Sequence, residues 1–214
     1  MSGRGGPCGR DVARGIGLGQ GGFTVLELLL GALLATLVVA AGVELLRVQV
    51  AVARRLQASL AATGGAGWAL AVAARDAQVA GSDPRRTGVV ALSAAGGERA
   101  VLESDRDGDG AVDAASEERV ILAWSPSASG RFVRWLGSQS MSIASLVRAG
   151  GLRLRYFDAA GTELVPGAGE LPAADRDRVR RLALELDVTE QAGVVAAQAR
   201  LRAAAALRLR LEER

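Results

Sequence analysis

Hydrophobic and polar positions divide the chain into three stretches. From Phe23 to Val43 every residue is apolar or small except Thr24, Glu27 and Thr36. With a rise of ~1.5 Å per residue, a helix over this run covers roughly the ~30 Å of a bilayer core. From Glu44 the pattern becomes amphipathic. Leu45, Val48, Val52, Leu56 and Leu60 recur at spacings of three and four, while Arg47, Arg54, Arg55 and Gln57 fall mostly on other faces. That spacing predicts a helix continuing out of the membrane. Gly64, Gly65 and Gly67 are expected to loosen it; WALAVAARDAQVAG then resumes helical spacing until Gly81-Ser82-Asp83-Pro84 stops it.

Beyond Pro84 the period becomes two. RVILAW (119–124), RFVRWL (131–136), LRLRYF (152–157) and RLALELDV (181–188) read as strands with one buried face, separated by turns rich in Gly, Ser, Asp and Pro. LRLRL (207–211) alternates too and reads as a last strand, although AQARLRAAAAL before it could equally be helical. The expected fold is α+β: a long N-terminal helix, membrane-spanning in its first half, packed on a small, mainly antiparallel sheet. The divisions are 1–22, a basic leader; 23–43, the span; 44–81, the helical continuation; and 85–214, the β-rich globular part.

Composition narrows the chemistry. The chain has 214 residues and a net charge of +3, enough for one ordinary domain and an anchor. All 26 cationic residues are Arg, and Asn is also absent, so the Arg excess reads as compositional bias and not as nucleic-acid binding. The chain has no His, which excludes a Ser-His-Asp triad, a Cys-His pair and His metal ligands. Cys8 is the sole cysteine, so no intramolecular disulfide forms, and no apolar run precedes it as a lipid-acylation site would require. Residues 1–22 are Gly-rich, with Arg4, Arg10 and Arg14 against Asp11, which places this leader on the cytoplasmic side by the positive-inside tendency.

Three readings compete for the apolar run. A cleaved secretory signal would end near Val39-Ala40-Ala41, but an acid near its start and a helix continuing past Ala41 argue against it. A plain anchor would leave Glu27 snorkelling to the cytoplasmic interface. The third reading gives Glu27 a partner, because an intramembrane acid costs roughly 2.5–3.5 kcal/mol on insertion scales. A cut between Gly22 and Phe23 releases an α-amine four residues before Glu27, in the same apolar band. On a neighbouring copy that cation neutralises the carboxylate at only one stagger, so the pair sets register.

Gly22, Phe23, the short apolar run Thr24-Val25-Leu26 and Glu27 together resemble the processing motif of the type IV pilin and type II secretion pseudopilin family. The resemblance implies cleavage after Gly22 by prepilin peptidase, a membrane aspartyl protease, and N-methylation of Phe23 by the same peptidase/methyltransferase. The chain is then a substrate and not an enzyme. It also implies other pilins or pseudopilins and an inner-membrane assembly platform as partners, a single pass through the bacterial inner membrane, and an extracytoplasmic (periplasmic) C-terminal domain that ends in a pilus or pseudopilus. GWALAVAARDAQVAG, SDRDGDG, ERVILAW, RFVRW, SLVRAGGLRLRYFDAAGTEL and VRRLALELDV are similar, in order, to PilW-like and GspJ-like minor subunits. The rival from another class is a single-pass anchored binding or sensor module that never polymerises.

DRDGDGAVD presents a possible metal loop. Asp105, Asp107, Asp109 and Asp113 fill places one, three, five and nine of an EF-hand-type loop, Gly110 fills the sixth, and Ala111 would offer its carbonyl at the seventh. Hard oxygen ligands of this kind suit Ca²⁺. Place twelve holds Ser116, with Glu117 one residue late, so a polar hairpin with solvated acids stays open as the alternative. No cofactor is otherwise required.

The remaining features read as structural. Asp175, Arg176, Asp177, Arg178, Arg180 and Arg181 form a mixed charge run expected to be a solvated turn, without the aromatic interleaving of a nucleic-acid surface. Trp68, Trp124 and Trp135 read as core or interface packing. Glu117 and Glu118, adjacent on an expected strand, would point to opposite faces and share no substrate.

Overall fold

The computed structural model describes residues 23–207 apart from 128, 129, 168, 193 and 194. The chain divides into two compact units, Met1–Val48 and Gln49–Arg214. Helix α1, Val25–Val79, is unbroken. Thr24 caps it: its Oγ1 accepts the Glu27 N–H at 3.2 Å and its carbonyl accepts the Leu28 N–H at 3.1 Å. At the far end Gly81 adopts a φ of 78°, the left-handed stop that glycine tolerates, and its N–H donates to the Glu103 carbonyl.

The three glycines at 64, 65 and 67 do not interrupt α1, contrary to the expected loosening. Each costs helix stability by up to ~1 kcal/mol, yet Ala62, Ala66, Ala69 and Leu70 on either side are buried, and this packing holds the turn. The face that meets the sheets also differs from the expected one. Ala58, Ala62, Ala66, Ala69, Ala73 and Ala77 form the buried line, whereas Leu45, Val48, Val52, Leu56 and Leu60 are exposed. Small Cβ groups allow a close approach that leucines at those positions would prevent.

Two antiparallel sheets follow where one was expected. The first is a five-stranded meander of β1 (Leu92–Ala95), β2 (Arg99–Glu103), β3 (Arg119–Ser125), β4 (Arg131–Leu136) and β5 (Gln139–Ser145), in chain order. The second contains β6 (Val147–Phe157), β7 (Glu163–Leu164), β8 (Arg181–Ala192) and β9 (Val195–Ala206), in the order β7-β6-β8-β9; a short helix α2 (Ala173–Arg176) precedes β8. Along β8, Leu182, Leu184, Leu186 and Val188 are buried while Ala183, Glu185 and Asp187 are only partly so, which is the period-two signature of one core face. Tyr156, Phe132, Leu102, Leu122 and Leu152 fill the core with them. The alanine-rich stretch that could have been helical is β9, paired with β8 from Arg181↔Ala206 to Ala192↔Val195. Of the expected strand at 207–211, residues 208–211 lie outside the described residues.

Candidate functional site

The processing and register candidates fall at the head of α1. Gly22 lies outside the described residues; Phe23 and Glu27 are exposed, Phe23 by 79%. One helix, α1, is long and apolar enough to cross a membrane. Thr24-Val25-Leu26-Glu27 has the spacing of a capping box, a signal the periodicity reading passed over. The first-turn position also favours a carboxylate through the helix dipole. Among the described residues, the Glu27 carboxylate has no hydrogen bond or ion pair within the chain, while its N–H is held by Thr24.

The acidic loop connects β2 to β3 and folds on its own carboxylates. Asp105 is fully buried, and its two oxygens accept the N–H groups of Gly108 at 2.6 Å and Gly110 at 3.0 Å. Asp107 accepts the Asp109 N–H, Asp109 the Ala111 N–H, and Asp113 the Ala115 N–H, each a tight Asx turn. Gly110, at the sixth place, has a φ of 91°, and a Cβ there would lie 2.8 Å from the Thr87 methyl, so any other residue would be strained and would have to displace Thr87.

Glu118 organises this loop. Its Oε1 accepts the Arg106 N–H at 2.6 Å and the Asp107 N–H at 3.2 Å, and its Oε2 accepts the Asp113 N–H at 2.9 Å. The Asp113 and Arg106 bonds lower its pKa against burial, which raises it. Glu117 points outward and pairs with Arg106 at 3.0 Å. Both glutamates lie in the turn before β3 and not on a strand, although they do diverge as expected.

The donor set suits Ca²⁺ in part. Ligand oxygens of Asp105, Asp107 and Asp109 lie within 4.8 Å of one another, the spread of two oxygens on opposite sides of one ion at ~2.4 Å. Asp113 lies outside that group, Ala111 contributes its N–H to Asp109, and Ser116, at place twelve, turns its hydroxyl to the Asp113 carbonyl. Place twelve thus offers no bidentate acid, and Glu118, two residues further on, is occupied with backbone N–H groups.

Two further acids hold the elements around this loop. Asp83, just past α1, accepts the N–H groups of Thr87, Gly88 and Val89 and the Thr87 hydroxyl. Burial raises its pKa, but these bonds bring it down to about 2. Asp76 on α1 receives Arg134 from β4 in a two-pronged bond, Nε to Oδ2 at 2.5 Å and Nη2 to Oδ1 at 2.7 Å. The mixed charge run is internally bonded: Arg178 pairs with Asp158 and Asp175, and Arg181 stacks on Phe157 with 4.4 Å to the ring centroid. Trp124 is half-buried with its Nε1–H on the Val147 carbonyl, whereas Trp68 is exposed and does not join the core. No family model, curated protein or solved structure matches the chain.

Proposed function

We propose that this chain is a minor pilin or pseudopilin: a membrane-inserted precursor, cut between Gly22 and Phe23, N-methylated on Phe23, and assembled into or priming a type IV pilus or type II secretion pseudopilus. The observation that carries the reading is the spacing of Gly22, Phe23 and Glu27 at the head of an uninterrupted helix whose large apolar side chains, from Phe23 to Leu60, lie exposed. Such a face is costly in water and is covered either by lipid or by neighbouring helices. Assembly is non-covalent in this reading. The helix packs against other subunits, Glu27 meets a neighbour's amino terminus, and the β-rich unit faces the periplasm. Ca²⁺ on the Asp105, Asp107 and Asp109 carboxylates would stiffen the β2–β3 loop.

Mass spectrometry of the purified protein's N-terminus tests this. An N-methylated Phe23 is the expected result. An intact Met1 would favour an anchored, non-polymerising binding module, and a start near Gly42 would favour ordinary secretion.

A further inference from the structure

Asp107-Gly108 and Asp109-Gly110 are the only Asp-Gly steps in the sequence, and the chain has no Asn. An Asp-Gly step rearranges more easily than other aspartyl links, because the glycine has no Cβ to hinder the approach of its nitrogen to the aspartyl side chain. In the rearrangement the glycine nitrogen bonds to the aspartyl Cγ. The carboxyl hydroxyl leaves with the amide proton as water, and a cyclic imide forms. Water then opens the ring at either carbonyl. One opening restores Asp. The other leaves isoaspartate, which runs the backbone through the side chain and lengthens it by one carbon, with no atom gained or lost overall.

The β2–β3 loop both prepares this reaction and blocks it. Asp107 Oδ1 accepts the Asp109 N–H at 2.9 Å, and Asp109 Oδ1 accepts the Ala111 N–H at 2.8 Å. Each carboxyl is therefore folded forward over the glycine peptide that would attack it, and both side chains are exposed to water. The block falls on the nitrogens. Asp105 Oδ1 holds the Gly108 N–H at 2.6 Å, and Asp105 Oδ2 holds the Gly110 N–H at 3.0 Å. Asp105 is fully buried, so water does not readily take its place. A glycine nitrogen that gave up its proton would set negative charge against a carboxylate oxygen, and closing the ring would break the bond and strand a buried acceptor.

We propose that Asp107 and Asp109 are latent sites of isoaspartate formation, and that Asp105 keeps both silent by holding the nitrogens of Gly108 and Gly110. One side chain guards two steps, one with each oxygen. The guard is also cooperative. An isoaspartate at either position lengthens the backbone between the residues that Asp105 joins, so the two glycines no longer face its two oxygens together, and the second step loses its protection after the first. The proposal is independent of the filament reading, because it uses only residues of the Gln49–Arg214 unit, and independent of Ca²⁺, which chelator removes from the test.

The full chain in detergent with chelator is aged in mildly acidic buffer and digested with trypsin. The 107–119 peptide, which carries both steps, is separated into Asp and isoaspartate forms, and electron-transfer fragmentation assigns the position. The same chain aged in urea gives the unguarded rate. Folded wild type should isomerise at least tenfold more slowly than in urea. Asp105→Ala should recover at least the urea rate at both steps. Glu118→Gln, which loosens the loop but leaves Asp105 on the two glycines, should stay within threefold of wild type. Equal rates for wild type folded and in urea, an unchanged rate in Asp105→Ala, or equal acceleration by Glu118→Gln would overturn the proposal. Should Asp105→Ala melt without a cooperative transition, Asp105→Asn decides. It keeps one acceptor oxygen, so it should speed one step and spare the other, and equal acceleration of both would overturn the proposal.

Discussion

Arg134→Ala tests what fastens the end of α1 to the first sheet. The Asp76–Arg134 pair joins residues 58 apart in sequence, with side-chain exposures of only 6% and 13%. The bonds from Asp76 raise the Arg134 pKa, against burial, which lowers it. Removing Arg134 leaves a buried carboxylate with no bonded cation. Stripping one partner from a buried pair costs about 3–5 kcal/mol. At roughly 2–4 °C per kcal/mol for a domain of this size, the melting midpoint should fall by about 6–20 °C. The double variant Asp76→Leu/Arg134→Met removes both charges and should recover most of the loss, because well-packed apolar replacements of buried pairs are often neutral or stabilising. Urea and thermal melts of the full chain in detergent, followed by circular dichroism, measure both. A single-variant loss below about 1 kcal/mol, or a double variant as unstable as the two singles summed, would refute the reasoning.

Three other outcomes follow from the loops. Glu118→Gln keeps the shape but removes the charge that three backbone N–H groups share, so it should destabilise by about 1.5–3 kcal/mol and speed hydrogen exchange at Arg106, Asp107 and Asp113; unchanged exchange at these amides would contradict the assigned bonds. Millimolar Ca²⁺ should raise the melting midpoint relative to chelator, and Asp107→Ala should abolish the rise; equal midpoints in the wild type would leave the loop held by Glu118 alone. Asp83 has a folded-state pKa lowered from 3.8 to about 2. Its contribution is therefore complete above pH ~4 and lost as pH falls towards 2, where the unfolded chain takes up the proton first. Asp83→Asn should flatten the acid limb of stability over that window, and an unaltered limb would exclude Asp83 as its cause.

Strands β3, β4, β6 and β8 were legible from their alternation, clearest in β8, whereas β1, β5 and β7 went unread. Leu182, Leu184 and Leu186 alternate with Ala183 and Glu185 in the sequence just as they do in the fold. The division into two sheets was not legible, since it turns on the corner at Leu146, a non-glycine residue with a φ of 58°, which no pattern of polarity marks. The buried face of α1 was misread for a physical reason: leucines and valines dominate a hydrophobicity pattern, but the sheet contacts are made by alanines, whose value is closeness and not hydrophobic area. In the loop, alternating aspartates marked the turn correctly. Glu118 was missed because its function is to bind N–H groups brought together only when the loop closes.

Those acids bear on Glu27. Asp76 has Arg134, Glu103 has Arg119, Asp105 has two backbone N–H groups and Glu118 has three. Among the described residues of the globular unit, each buried acid is thus matched inside the chain. For Glu27 the chain supplies the helix terminus, whose dipole contributes about 0.3–1 kcal/mol, against roughly 2.5–3.5 kcal/mol for a carboxylate in lipid. If Glu27 lies in lipid, as the proposed function requires, a remainder of roughly 2 kcal/mol would come from outside the protomer. Capping and pairing are separable, because the cap uses the Glu27 backbone N–H on Thr24 and survives side-chain removal. Glu27→Ala and Glu27→Gln should therefore leave membrane insertion and helicity intact while abolishing incorporation into filaments, measured by shearing and immunoblotting. Normal incorporation of both variants would leave Glu27 as a helix-terminal residue and remove the need for an external amine.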